Sequence, residues 1–134
     1  MSFLIELADH LATGGIGTVG LDTDTGWGIF VARRPGNMNK VIVLTPTPTA
    51  GEREIPTTNK AFQVIASSED TSESEGKVGD IRTLLHAQNG IQLATILVFN
   101  IVDISSAPYL LGVDEKNRVQ WGMNFMAFVR GAII

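Results

Sequence analysis

The sequence predicts an α+β fold. We expect a single domain over residues 1–134, with a four- to five-stranded mixed or antiparallel sheet and two helices packed on one face, in the order α-β-β-β-α-β-β. Three observations lead there. Val119, Trp121, Met123, Phe125, Ala127 and Val129 alternate with Gln120, Gly122, Asn124, Met126, Phe128 and Arg130. One wholly apolar side at period two marks a strand lying on a core. Phe3, Leu4, Leu7, Ala8 and Leu11 instead recur at helical spacing, as do Val78, Ile81, Leu84 and Leu85. Between these lie short apolar runs bounded by Pro, Gly and Asn, the punctuation of strands.

In chain order, residues 2–13 form the first helix, with Ser2 as candidate cap and Gly14-Gly15 as the stop. Residues 14–28 are rich in Gly, Thr and Asp and read as a connection into a strand. Trp27–Arg34 is that strand, and Pro35-Gly36-Asn37 turns it. Lys40–Leu44 is a second strand, apolar after its first residue and so expected in the sheet centre. Thr45–Asn59 holds three prolines and is expected to be a long loop, the kind that usually carries function.

Lys60–Ala66 is a third strand. Ser67–Ser74 is a polar lead into the second helix, with Thr71 or Ser72 as cap and acids suited to the positive helix end. That helix is expected from about Ser72 to Gln88, closed by Asn89-Gly90 and weakened by Gly76 and Gly79 by about 1 kcal/mol each against Ala. Ile96–Val102 is a continuous apolar strand. Gly112–Arg118 is a polar hairpin connection, and Ile96–Val102 is the expected partner of the final strand.

Composition excludes several functions. The chain has no cysteine, which removes disulfides, thiolate catalysis and Cys-ligated metal sites, and fits synthesis in a reducing compartment. No apolar run is long enough to span a bilayer. The start, Met-Ser-Phe-Leu-Ile-Glu, lacks a basic region and carries an early acid, so no signal peptide is expected. A net charge of −4 with scattered basic residues argues against a nucleic-acid-binding surface.

No catalytic pattern completes itself. The glycines of residues 14–28 follow a helix and lack the Gly-Lys-Ser/Thr of a phosphate loop. Asp22 and Asp24 lack the late Glu of a calcium loop. His10 and His86 have no companion ligands at metal spacing, and no Gly-x-Ser-x-Gly elbow exists. Asp114-Glu115 reads as a solvated turn, because adjacent acids point different ways. Trp27, Trp121, Phe125 and Phe128 would suit a base-stacking platform, but the charge balance favours core or protein interface. No enzyme activity, cofactor or metal is expected.

Several local patterns resemble the tail terminator and minor capsid proteins of long-tailed, siphovirus-type bacteriophages. They are the N-terminal helix, the Gly/Thr-rich connection into W-G-I-F-V, the strand M-N-K-V-I-V-L, the Pro/Thr-rich loop, and K-A-F-Q-V-I-A running into S-S-E-D-T-S-E-S and I-R-T-L-L-H. The closing A-P-Y-L-L-G-V-D-E-K-N-R-V-Q-W-G-M-N-F is the most telling. One departure is Ala66-Ser67-Ser68, where many such proteins carry Arg-Gly.

The resemblance covers nearly the whole chain. It implies a virion structural protein, made in the host cytoplasm, that forms a homo-oligomeric ring, usually a hexamer, at the head-proximal end of the tail. The ring would meet the tail tube protein and the head-tail connector, while DNA passes its lumen without specific binding. No membrane is involved. Residues 14–26 and 45–59 are then the expected contact loops. Asp22, Asp24, Glu52 and Glu54 are candidates for a lumen or polar interface, with Thr45, Thr47, Thr49 and Arg53 beside them. The alternatives are a head-completion or connector adaptor, and a small ligand-binding α+β domain walled by Trp27 and Trp121.

Overall fold

The computed structural model describes residues 2–20, 26–32, 40–47, 57–86, 91–93, 96–104, 107–114 and 117–130. Helix α1 spans Ser2–Thr13, and Phe3, Leu4, Leu7, Ala8 and Leu11 are buried as their spacing requires. The helix ends in a Schellman cap. Gly15 adopts φ 84°, its N–H donates to Ala12 O at 3.1 Å, and Ile16 N–H donates to Leu11 O at 3.1 Å. Ile16 and Leu11 are both buried in the core, the apolar contact that accompanies this cap.

Eight strands follow among the described residues: β1 (Thr18–Val19), β2 (Gly28–Val31), β3 (Val41–Thr47), β4 (Thr57–Ser68), β5 (Ile91–Gln92), β6 (Leu97–Asp103), β7 (Tyr109–Val113) and β8 (Val119–Arg130). Helix α2 (Thr71–His86) lies between β4 and β5. One mixed sheet takes the order β1-β2-β3-β4-β8-β6-β5, with β7 also paired to β8. β1, β2 and β3 are parallel and every other pairing is antiparallel.

The expected four- to five-stranded sheet is therefore too small, although the α+β class stands. The extra strands are β1, β5 and β7. Two of them are two residues long, too short for any period to show.

The long strands match their pattern. β8 buries Met123, Phe125, Ala127 and Val129 on one face, with Trp121 partly buried against the same core. β6 pairs with β8 antiparallel, as expected. However, the polar turn before β8 leads back to β7, not to β6. β6 and β7 share one side of β8, β6 along residues 125–130 and β7 along 119–122. Ile104 N–H donates to Asn124 O at 2.8 Å in the gap between them.

Strands occupy both ends of the span expected to be a loop, Thr45–Asn59, and residues 48–56 lie outside the described residues. β3 continues through Thr47, with Pro46 opposite Phe62, and β4 begins at Thr57. Proline is tolerated there for a geometric reason. Leu44 O accepts from Ala32 N at 2.8 Å, so the backbone groups of residues 44 and 46 turn toward β2. β2 ends at Val31, opposite Leu44, so the missing N–H of Pro46 costs no ladder bond.

The second helix also starts differently from expectation. Ser67 and Ser68 are the fully buried last residues of β4, not part of a polar lead. The cap is Asp70, not Thr71 or Ser72: its Oδ1 accepts from Ser72 N at 2.8 Å and Glu73 N at 3.4 Å. Ser68 Oγ lies 2.8 Å from Ser74 Oγ and donates to Asp70 O at 2.7 Å, so the strand end and the helix start form one hydrogen-bonded corner.

Both helices cover the same sheet face. One core joins Phe3, Leu7 and Leu11 of α1 and Val78, Ile81 and Leu85 of α2 to Ile42, Phe62, Val64, Met123 and Phe125. Phe62 sits at its middle, stacked on Phe125 at 5.4 Å and edge-on to Phe3 at 5.7 Å. Leu84 packs against this core but is only partly buried.

Candidate functional site

Of the residues expected at an interface, Thr45 and Thr47 lie at the end of β3. They share strand parity with Val41 and Val43 and so belong to the sheet face away from the helices, where both are half-buried. Asp22, Asp24, Thr49, Glu52, Arg53 and Glu54 lie outside the described residues. Lys77 of α2 touches two described residues, Ile16 and Trp27, that precede and follow Asp22 and Asp24 in sequence. Its Nζ donates to Ile16 O at 3.3 Å and stands 5.4 Å from the ring centroid of Trp27.

The four aromatic residues form no common platform. Phe125 is buried on the helix face, Phe128 is half-buried on the opposite face by strand parity, and Trp27 lies before β2. Trp121 donates from Nε1 to Thr71 Oγ1 at 2.9 Å, which fastens the start of α2 to β8.

Asp114 departs from the solvated-turn reading. Its side chain is 12% exposed and its Oδ2 accepts from Arg118 Nε at 2.7 Å. Glu115 lies outside the described residues. Of the two histidines, His10 sits on α1 with a buried Nε2 that has no hydrogen-bond partner among the described residues, and His86 ends α2. Among the described residues no group of three or more His, Cys, Asp or Glu could hold a metal ion.

The face away from the helices offers surface rather than chemistry. Gln63 Nε2 donates to Tyr109 Oη at 2.8 Å across β8, where Gly122 supplies no side chain. Asn124, Met126 and Phe128 are half-buried on the same face. The outer edge adds a feature that sequence reasoning missed. Ile104 is 56% exposed, Leu110 57%, Leu111 42% and Val113 62%. The signal was present as three apolar residues among four at 110–113, but it has no period, because the register shifts between Leu110 and Gly112.

Among the described residues no helix is long and apolar enough to cross a membrane. No curated protein matches the chain. A sequence model of the bacteriophage tail terminator protein family matches residues 10–128, from within α1 to near the end of β8. That span takes in both helices and all eight strands in whole or part, so this chain belongs to the bacteriophage tail terminator family, structural components of the phage tail.

Proposed function

We propose that the protein forms a ring, hexameric in the usual case, at the head-proximal end of the tail tube. The ring ends tube polymerisation and presents a face for head-tail joining. The observation that carries this reading is the family match across residues 10–128. The surface agrees with it: half-buried polar and apolar residues on one sheet face and an apolar outer edge suit contact with protein. A cyclic assembly needs heterologous contacts that close, which asks for two different surfaces on each subunit.

The partners in this reading are other copies of the chain, the tail tube protein and the connector. DNA passes the lumen without specific binding, which the net charge of −4 favours. Thr45 and Thr47, with Asp22, Asp24, Thr49, Glu52, Arg53 and Glu54, remain the proposed contact residues. Subunits of such a ring assemble on a template when each interface is marginal alone.

Mass by light scattering, with and without the cognate tube subunit, tests this. A ring-sized species in either sample supports it. A chain that stays monomeric, ignores tubes and binds portal-filled heads would instead be a connector adaptor. One that stays monomeric and binds neither would be a small ligand-binding domain.

A further inference from the structure

The outer edge of β7 is built unlike a protected sheet edge. Its five residues, Tyr-Leu-Leu-Gly-Val, include no charge and no proline. Among the described residues only β8 pairs with it. Leu110 and Val113, opposite Trp121 and Val119, project on the helix face. Leu111, at the register shift, reaches over Gly122, whose added Cβ would stand 2.9 Å from Leu111 Cδ1. The strand is thus apolar on both faces and open along its backbone, the arrangement that recruits another extended segment.

The rest of the chain narrows the choice of that segment. The longer stretches outside the described residues are Leu-Asp-Thr-Asp-Thr at 21–25, Arg-Arg-Pro-Gly-Asn-Met-Asn at 33–39, Pro-Thr-Ala-Gly-Glu-Arg-Glu-Ile-Pro at 48–56 and Ala-Gln-Asn-Gly at 87–90. All are polar or interrupted by proline. Residues 131–134, Gly-Ala-Ile-Ile, are wholly apolar and rich in strand-forming isoleucine.

These residues follow Arg130, at the end of β8 remote from β7. Gly122, which pairs with Tyr109, is eight residues back along the strand, about 26 Å away at about 3.3 Å per residue. Four residues extend by at most about 14 Å. Residues 131–134 therefore fall short of β7 in their own subunit, and Val113 is farther still.

We propose that the open edge of β7 receives residues 131–134 of a second copy of the chain, which joins subunits head to tail. The proposal rests on the ring reading and gives it a direction. The β7 edge lies along residues 119–122 of β8 while residues 131–134 follow its other end at Arg130, so the contact is heterologous and each subunit both gives and receives.

The absence of native cysteine allows a direct test. Full-length Val113→Cys and Ile133→Cys chains are mixed, with and without the cognate tube subunit, and treated with a short bismaleimide. The expected result is a cross-linked pair in the mixture and none from either variant alone. Pairs from Val113→Cys alone would mean edge-to-edge pairing and would overturn the proposal. Ring-sized assemblies with no cross-link would overturn it and leave the ring intact. No assembly in any sample would overturn both. As a second readout, Leu110→Lys, with unchanged thermal melting, is expected to weaken assembly roughly tenfold or more, as loss of a central apolar anchor does. Unchanged assembly would contradict the proposal.

Discussion

Asp114 holds Arg118 twice. Its Oδ2 accepts from Arg118 Nε at 2.7 Å and its Oδ1 accepts from the Arg118 backbone N–H at 2.9 Å. Asp114 N in turn donates to Arg118 O at 3.0 Å, and Asn117 between them adopts φ 61°. One carboxylate thus closes the turn between β7 and β8 and neutralises a guanidinium on a residue only 5% exposed. Asp114→Ala should cost about 1.5–3 kcal/mol, because it removes a charge-assisted hydrogen bond and a backbone acceptor from a little-exposed turn. Asp114→Asn keeps an acceptor for the backbone N–H and should cost less. Urea unfolding of the two variants checks the order, and equal stabilities would contradict this role.

Ala32, the residue after β2, adopts φ 59° while its N–H donates to Leu44 O at 2.8 Å. A left-handed residue with a Cβ carries about 1–2 kcal/mol of strain. Ala32→Gly removes it and gives back part through a more flexible unfolded chain. We expect a net gain of about 0.5–1 kcal/mol, read as a Tm rise of about 2–4 °C. A fall in Tm would show that the strain is absent.

Gly17 lies under Trp27, and a Cβ there would stand 2.7 Å from Trp27 O, a backbone atom that cannot turn aside. Gly17→Ala should therefore push β1 from β2 at a cost of about 1–3 kcal/mol. Trp27 fluorescence should shift with it. Wild-type stability and emission would contradict the close approach.

Phe62 is fully buried between Phe3 and Phe125, where α1, β4 and β8 meet. Phe62→Ala should cost about 3–5 kcal/mol by cavity formation. Phe128→Ala, on the half-buried opposite face, should cost much less. Chemical denaturation of both separates the two faces of the sheet.

The contrast between Phe62 and Phe128 also marks what was legible in the sequence. Where a segment was long and one-sided, as in α1 and β8, period alone assigned the element and its buried face. Where a strand had two residues, or a bulge set Leu110 beside Leu111, no period existed to read. Pro46 misled for another reason: proline breaks a strand only if its N–H is needed, and the end of β2 removes that need. The sequence points to Thr71 or Ser72 as the cap and not to Asp70, because residues of these types cap equally well and only geometry ranks them. Asp114 reads as solvated in the sequence because its partner is four residues on, across a turn whose closure no sequence pattern announces. Of the candidate site, Thr45 and Thr47 are among the described residues, and they lie on a strand rather than a loop.

Capping a tube is the act that sets a terminator apart from an adaptor or a ligand-binding domain. The most direct measurement is negative-stain electron microscopy of tubes grown from the cognate tube subunit with and without this protein. We expect added protein to stop growth and to leave an extra ring of density at one end only. Tubes of unchanged length with bare ends, at protein concentrations well above that of the tube ends, would contradict the proposed role.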